Sequence, residues 1–215
     1  MGKSFEKEKK RILSKLELKR KAAFEVLRDN MVKEGYVPKD LTMGLVYANV
    51  MALIFGTLIL FVLGSFFLIY SPAEGWELNI KIYLIWLISY IVLIPVHELI
   101  HGIFWAIFAK THWKSISFGF IKEYMTPYCS CAEALDRKGY VIGALMPTIL
   151  LGILPCVIAI FNGSFVLFLV GIIMIYSGGG DLTIIFNLLS DREKAKEKLY
   201  VDHPCQAGCV CFMKK

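Results

Sequence analysis

The stretch whose reading decides this chain is "IYLIWLISYIVLIPVHELIHGIFWAIFA", residues 82–109. It is long and apolar enough for one membrane-crossing helix, which takes about 20 residues. Yet three titratable side chains, His97, Glu98 and His101, fall within five positions of it. A single charge at the centre of a membrane helix costs about 2.5–3.5 kcal/mol on the insertion scale. Three such groups demand compensation. A bound metal supplies it, and so does a polar cluster closed by interhelical hydrogen bonds.

Outward from this stretch, the composition sets the class. The chain has 215 residues, 57% apolar and 20% charged, with a mean hydropathy of +0.60. Soluble domains are about 45–50% apolar, so an all-α polytopic membrane protein with about four transmembrane helices is expected. The spans are read at about 44–70, 80–109, 140–161 and 164–189, the last interrupted by "SGGGD". Before them lies a charged arm, 1–43, and after them a tail, 191–215. In the arm Phe5, Ile12, Leu16, Ala23, Leu27 and Met31 recur at helical spacing, so an amphipathic helix ending before "EGYVPKD" is predicted. Nothing at the start reads as a cleavable signal peptide. The net charge of +6 comes with no nucleic-acid motif, so no nucleic-acid partner is expected.

Lysine and arginine positions set the orientation. Twelve fall in the arm, five in 110–139 and six after residue 190, while loop 71–79 and "FNGS" at 161–164 hold none. The expected protein is multi-pass in the cell membrane, with both termini and segment 110–139 on the cytoplasmic side.

In a helix His97 and His101 are i and i+4 and share a face, so both imidazoles can bind one zinc ion. Glu98 sits roughly 100° round the helix, beside the metal. There it is placed to act as general base for the water that attacks. Pro95 removes one backbone hydrogen bond and is a candidate bend, or simply a tolerated proline.

A catalytic zinc site has three protein ligands and one open position. No histidine follows His101 until His112, so the third ligand is expected from another span. Asp181 is the candidate. From Lys81 to His97 is about 24 Å of helix and from Ser164 to Asp181 about 25 Å, so the two reach similar depth. Gly178, Gly179 and Gly180 would loosen the backbone that delivers it. The alternative is that Asp181 only caps the helix that resumes after it. Glu133 and Asp136 are poorer ligand candidates because they lie in the polar segment. Asn187 reads as an interhelical hydrogen-bonding group or a pocket residue.

With these residues in view, the pattern resembles the intramembrane zinc metalloproteases of the site-2 type. More closely it is similar to a bacterial zincin peptidase family of small four-span membrane proteins. The resemblance covers roughly residues 80–212, through "HELIHG", "FGFIKEYMTPYCSCAEAL", "GALMP", "GGGDL" and "DHP". It implies zinc held by His97, His101 and Asp181, with Glu98 as catalytic base and a membrane-embedded or membrane-proximal peptide as substrate. The chain departs from the site-2 pattern in carrying Gly-Asp-Leu where those proteases carry Leu-Asp-Gly, and in showing no PDZ-like segment.

The segment between the second and third spans reads either as a short β-hairpin, from "KSISFGFI" and "TPYCSCAEAL", or as an amphipathic connector. A hairpin edge there could hold an extended substrate by strand addition. Of the six cysteines, 129, 131, 156, 205, 209 and 211, all but Cys156 lie outside the spans. Free thiols are the main expectation and a second metal site the other, because the spacings are not C-x2-C. The rival to a peptidase is a non-catalytic metal-binding membrane protein serving transport, sensing or the stabilising of a partner. The outer halves of the spans carry few polar groups for a transport path.

Overall fold

The computed structural model describes residues 14–71, 79–121 and 126–214. The start of the arm helix expected from Phe5 and Ile12, and most of loop 71–79, lie outside them. Helix α1 is Lys15–Lys33, opened by a capping box in which Ser14 and Glu17 satisfy each other's backbone N–H. Its end agrees with the boundary expected before "EGYVPKD". The inward stripe is rotated from the expected one, however. Leu16 is exposed, whereas Glu17, Arg20, Phe24, Leu27 and Met31 turn inward. The reason is that Glu17 and Arg20 line the polar end of the site cavity, while Phe24, Leu27 and Met31 reach an apolar cluster around Val201, Val210 and Phe212.

Helices α2, Leu45–Tyr70, and α3, Ile80–Phe108, are each long and apolar enough to cross a membrane. Their outward faces are apolar too, with Phe61 75% and Ile80 68% exposed. Helix α3 continues through Pro95 without a break. The third candidate span, Arg137–Asn162, comprises α4 (Arg137–Pro147), a π turn (Thr148–Ile153) and α5 (Leu154–Asn162). Pro155 follows the π turn and has no N–H to give the carbonyl four residues back, so the wider winding falls where the ladder is already broken. Helices α6 (Phe165–Ser177) and α7 (Gly179–Ser190) form a pair bent by 48° at Gly178, and count as a fourth span if taken as one.

The fold is mostly helical, as expected, but not all-α. Strands β1 (Val37–Met43), β2 (Ile116–Ile121), β3 (Thr126–Cys131), β4 (Leu135–Asp136), β5 (Glu197–Asp202) and β6 (Ala207–Lys214) form two antiparallel sheets. One is the β2–β3 hairpin between α3 and α4. The other has the order β1-β6-β5-β4 and joins the end of the arm to the tail. Leu41 pairs with Cys209, and Cys211 with Tyr200. Buried Cys209, Cys211 and Tyr200 then pack with Trp105, Tyr140 and Leu188, fastening the sheet to the ends of α3, α4 and α7.

Candidate metal centre

His97 and His101 stand one turn apart on α3, both buried, and Asp181 reaches them from the first turn of α7. The Nε2 atoms of the two histidines are 3.2 Å apart. Asp181 Oδ2 is 3.2 Å from His97 Nε2 and 3.4 Å from His101 Nε2. Asp181 is not a helix cap, for α7 has no side-chain cap. Among the described residues, no other group of three or more His, Cys, Asp or Glu is arranged to hold a metal ion.

The triangle can be tested against zinc. Zinc–nitrogen and zinc–oxygen bonds of about 2.0–2.1 Å in a tetrahedron put neighbouring ligand atoms about 3.3–3.4 Å apart. The observed edges of 3.2 to 3.4 Å match that spacing. The protonation pattern agrees as well. His101 Nδ1 lies 2.8 Å from the carbonyl oxygen of Gly143, which can only accept, so Nδ1 carries a proton and the neutral ring presents its Nε2 lone pair to the centre. With a metal bound, the lone pairs of all three atoms would be used.

The surroundings hold these groups. The indole of Trp105 stacks on His101 with centroids 5.0 Å apart and donates Nε1–H to the carbonyl of Tyr140. Gly143 lies under that indole, and a Cβ there would collide with it. Gly102, the last residue of "HELIHG", faces the hairpin, where a Cβ would stand 2.8 Å from the Phe118 ring. At the break between α6 and α7 the glycines differ in role. Gly178 abuts Thr148, Gly179 abuts Ala52 on α2, and Gly180 meets open space.

Glu98 lies outside the triangle but lines the same cavity, of about 510 Å³, as His97, His101 and Asp181. Its Oε2 accepts the backbone N–H of Cys129 at 2.6 Å. Asp202 accepts the N–H of Cys131 at 3.2 Å and the hydroxyl of Tyr140 at 2.7 Å. The two carboxylates thus occupy the N–H groups on the outer edge of β3, and the next outward position, Pro127, has none. The edge that the sequence offered for strand addition is therefore already engaged at these positions. Burial raises the pKa of Asp202 above the ordinary carboxylate value and drives the Cys129 thiol well up, so Cys129 is kept as a neutral thiol. Helix α1 brings Glu17 and Arg20 to the same cavity, and the Arg20 guanidinium lies 4.4 Å from the Tyr128 ring centroid.

The lesser candidates have structural tasks. Glu133 accepts the N–H groups of Lys110 and Thr111, and Asp136 caps α4 through the N–H of Gly139. Asn187 accepts from the Tyr47 hydroxyl, an interhelical bond. All six cysteines are free thiols. Sequence reasoning missed Gly143, Trp105, Tyr140 and Asp202 as supports of the site. "GALMP" and "DHP" carried that signal only as parts of a resemblance.

Residues 90–196 match a family model described as "Putative zincin peptidase". The match takes in His97, Glu98, His101, the hairpin and Asp181, and covers just under half of the chain. A zincin peptidase family implies zinc and peptide hydrolysis, and the His97–His101–Asp181 triangle is where this chain could hold the ion. No curated protein and no solved structure shows significant similarity to the chain.

Proposed function

We propose that this protein is a membrane-embedded zinc metallopeptidase, akin to the site-2 proteases, which hydrolyses a peptide bond in or near the membrane. The observation that carries the reading is the tetrahedral spacing of His97, His101 and Asp181 beside Glu98 in one cavity. Three helices of membrane-crossing length, or four with the bent pair, support residence in a lipid bilayer. The lysine and arginine bias supports cytoplasmic termini and an active site toward that side.

His97, His101 and Asp181 would hold the zinc, which when bound makes water acidic near neutral pH and polarises a carbonyl. The remaining work falls to the chain. Glu98 takes a proton from the attacking water as the new C–O bond forms, then delivers it to the amine nitrogen as the C–N bond breaks. The N–H of Cys129 fixes one oxygen of that carboxylate, leaving the other to carry the proton. The Nδ1–H bond from His101 to Gly143 keeps the imidazole from turning. Apolar walls on α2, α3 and α6 limit water in the cavity, and the polar end under α1 gives a peptide's amides partners.

The test is a comparison of peptide termini in membranes of cells expressing wild type or Glu98→Gln. A peptidase yields new termini near membrane spans with wild type alone. Identical termini, with both proteins carrying zinc, would favour the non-catalytic metal-binding reading.

A further inference from the structure

Two polar atoms in the core near the site are buried without a hydrogen-bond partner among the described residues: Nδ1 of His97 and Oγ1 of Thr148. Both belong to almost fully enclosed residues, His97 at 6% and Thr148 at 1% exposure. The two side chains also border one spot. A Cβ built on Gly178 would collide with Thr148 Oγ1 and stand 3.5 Å from His97 Cε1, the ring carbon between Nδ1 and Nε2. Thr148 opens the π turn of the third span, a wide winding that often marks functional positions.

Separate orphans in a core are a cost to each. Here one can donate what the other accepts. When Nε2 of His97 is committed to a metal, the ring proton must sit on Nδ1. A ligating histidine commonly hands that proton to an oxygen, which fixes its ring and raises its basicity. His101 does so through Gly143. Nδ1 of His97 has no such carbonyl among the described residues.

We propose that Thr148 is the positioning residue of His97, its hydroxyl accepting Nδ1–H directly or through one water when metal is held. This rests on the proposed metal centre. It assigns Gly178 a task beyond the bend, since any side chain there would displace the hydroxyl.

The test uses the full chain in detergent, with zinc affinity read by competition with a fluorescent chelator and melting temperature read on metal-free protein. Thr148→Val keeps the shape and removes the hydroxyl. It should weaken zinc binding about 10- to 100-fold, while the metal-free protein melts at the same temperature or higher, having lost a buried unsatisfied group. Thr148→Ser, which keeps the hydroxyl, should bind zinc within about threefold of wild type, by the same measure. Unchanged affinity in Thr148→Val overturns the proposal. So does equal weakening in Thr148→Ser, or a Thr148→Val chain that melts lower or does not fold, because each makes the residue a packing group. A wild type that binds no zinc defeats the peptidase reading itself, a result distinct from all of these.

Discussion

His101 donates its Nδ1–H to the carbonyl of Gly143 at 2.8 Å, and the same glycine lies beneath the indole of Trp105, which stacks on the His101 ring. One residue without a side chain thus fixes the tautomer of one candidate ligand and admits the aromatic plate that holds it. Gly143→Ala should force the indole away. Overpacking of this kind costs about 1–3 kcal/mol, so the melting temperature should fall. Zinc content should fall with it, and tryptophan fluorescence should shift. Unchanged fluorescence and zinc would mean that the indole plays no part in the site.

Elemental mass spectrometry on purified protein gives the ligand set directly. Close to one zinc per chain is expected in wild type. His97→Ala and Asp181→Ala should lose it, since each removes one corner of a triangle with no fourth protein corner among the described residues. Glu98→Gln should keep it, because Glu98 lies beside the triangle and not in it. Wild-type zinc in Asp181→Ala would remove Asp181 from the set.

Much of this site could be read from the chain because its signals are local or one-dimensional. His97, Glu98 and His101 share one helix, so their relation follows from pitch alone. Asp181 was within reach because depth along two apolar spans can be counted from their ends. The hairpin showed in the alternation of "KSISFGFI". The four-stranded sheet did not, because Lys39 on β1 and Leu135 on β4 are far in sequence from their partners Cys211 and Tyr200, and such pairing is decided by tertiary context. "HPCQAGCVC" also reads as a cysteine motif before it reads as a strand. Glu17 and Arg20 were missed for a similar reason: polar residues on a charged helix are assigned to solvent unless a cavity is known to lie beneath them.

Asp191 links the end of α7 to the sheet. It lies within 2.6 Å of Lys39 Nζ on β1 and 2.7 Å of Lys198 Nζ on β5, with its side chain 4% exposed. Burial works upward on this carboxyl, but hydrogen bonds from Lys198 and Lys39 outweigh it, and the pKa falls from 3.8 to about 2. A carboxyl depressed on folding stabilises the fold above its unfolded pKa and loses that contribution as pH drops through the folded value. The window is therefore about pH 4 down to 2. At neutral pH the contribution is about 1–2 kcal/mol after screening. Asp191→Asn should melt lower than wild type at pH 7, and the gap should close as pH approaches 2. A gap that does not change with pH would assign the effect to packing.

The bond from Cys129 N–H to Glu98 supports the candidate base and can be removed by a substitution that touches neither the carboxylate nor the metal ligands. Cys129 lies on an edge strand with its N–H pointing away from β2, where proline is tolerated because no ladder bond is lost. Cys129→Pro should therefore fold and retain zinc. A hydrogen bond to a charged group contributes about 1.5–3 kcal/mol, and its loss frees the carboxylate to wander from the proton it must take. Turnover should drop about 10-fold or more, with substrate affinity changed less. Cys129→Ala, which keeps the N–H, should retain activity. Full activity in the proline variant would show that Glu98 is held by something other than the strand.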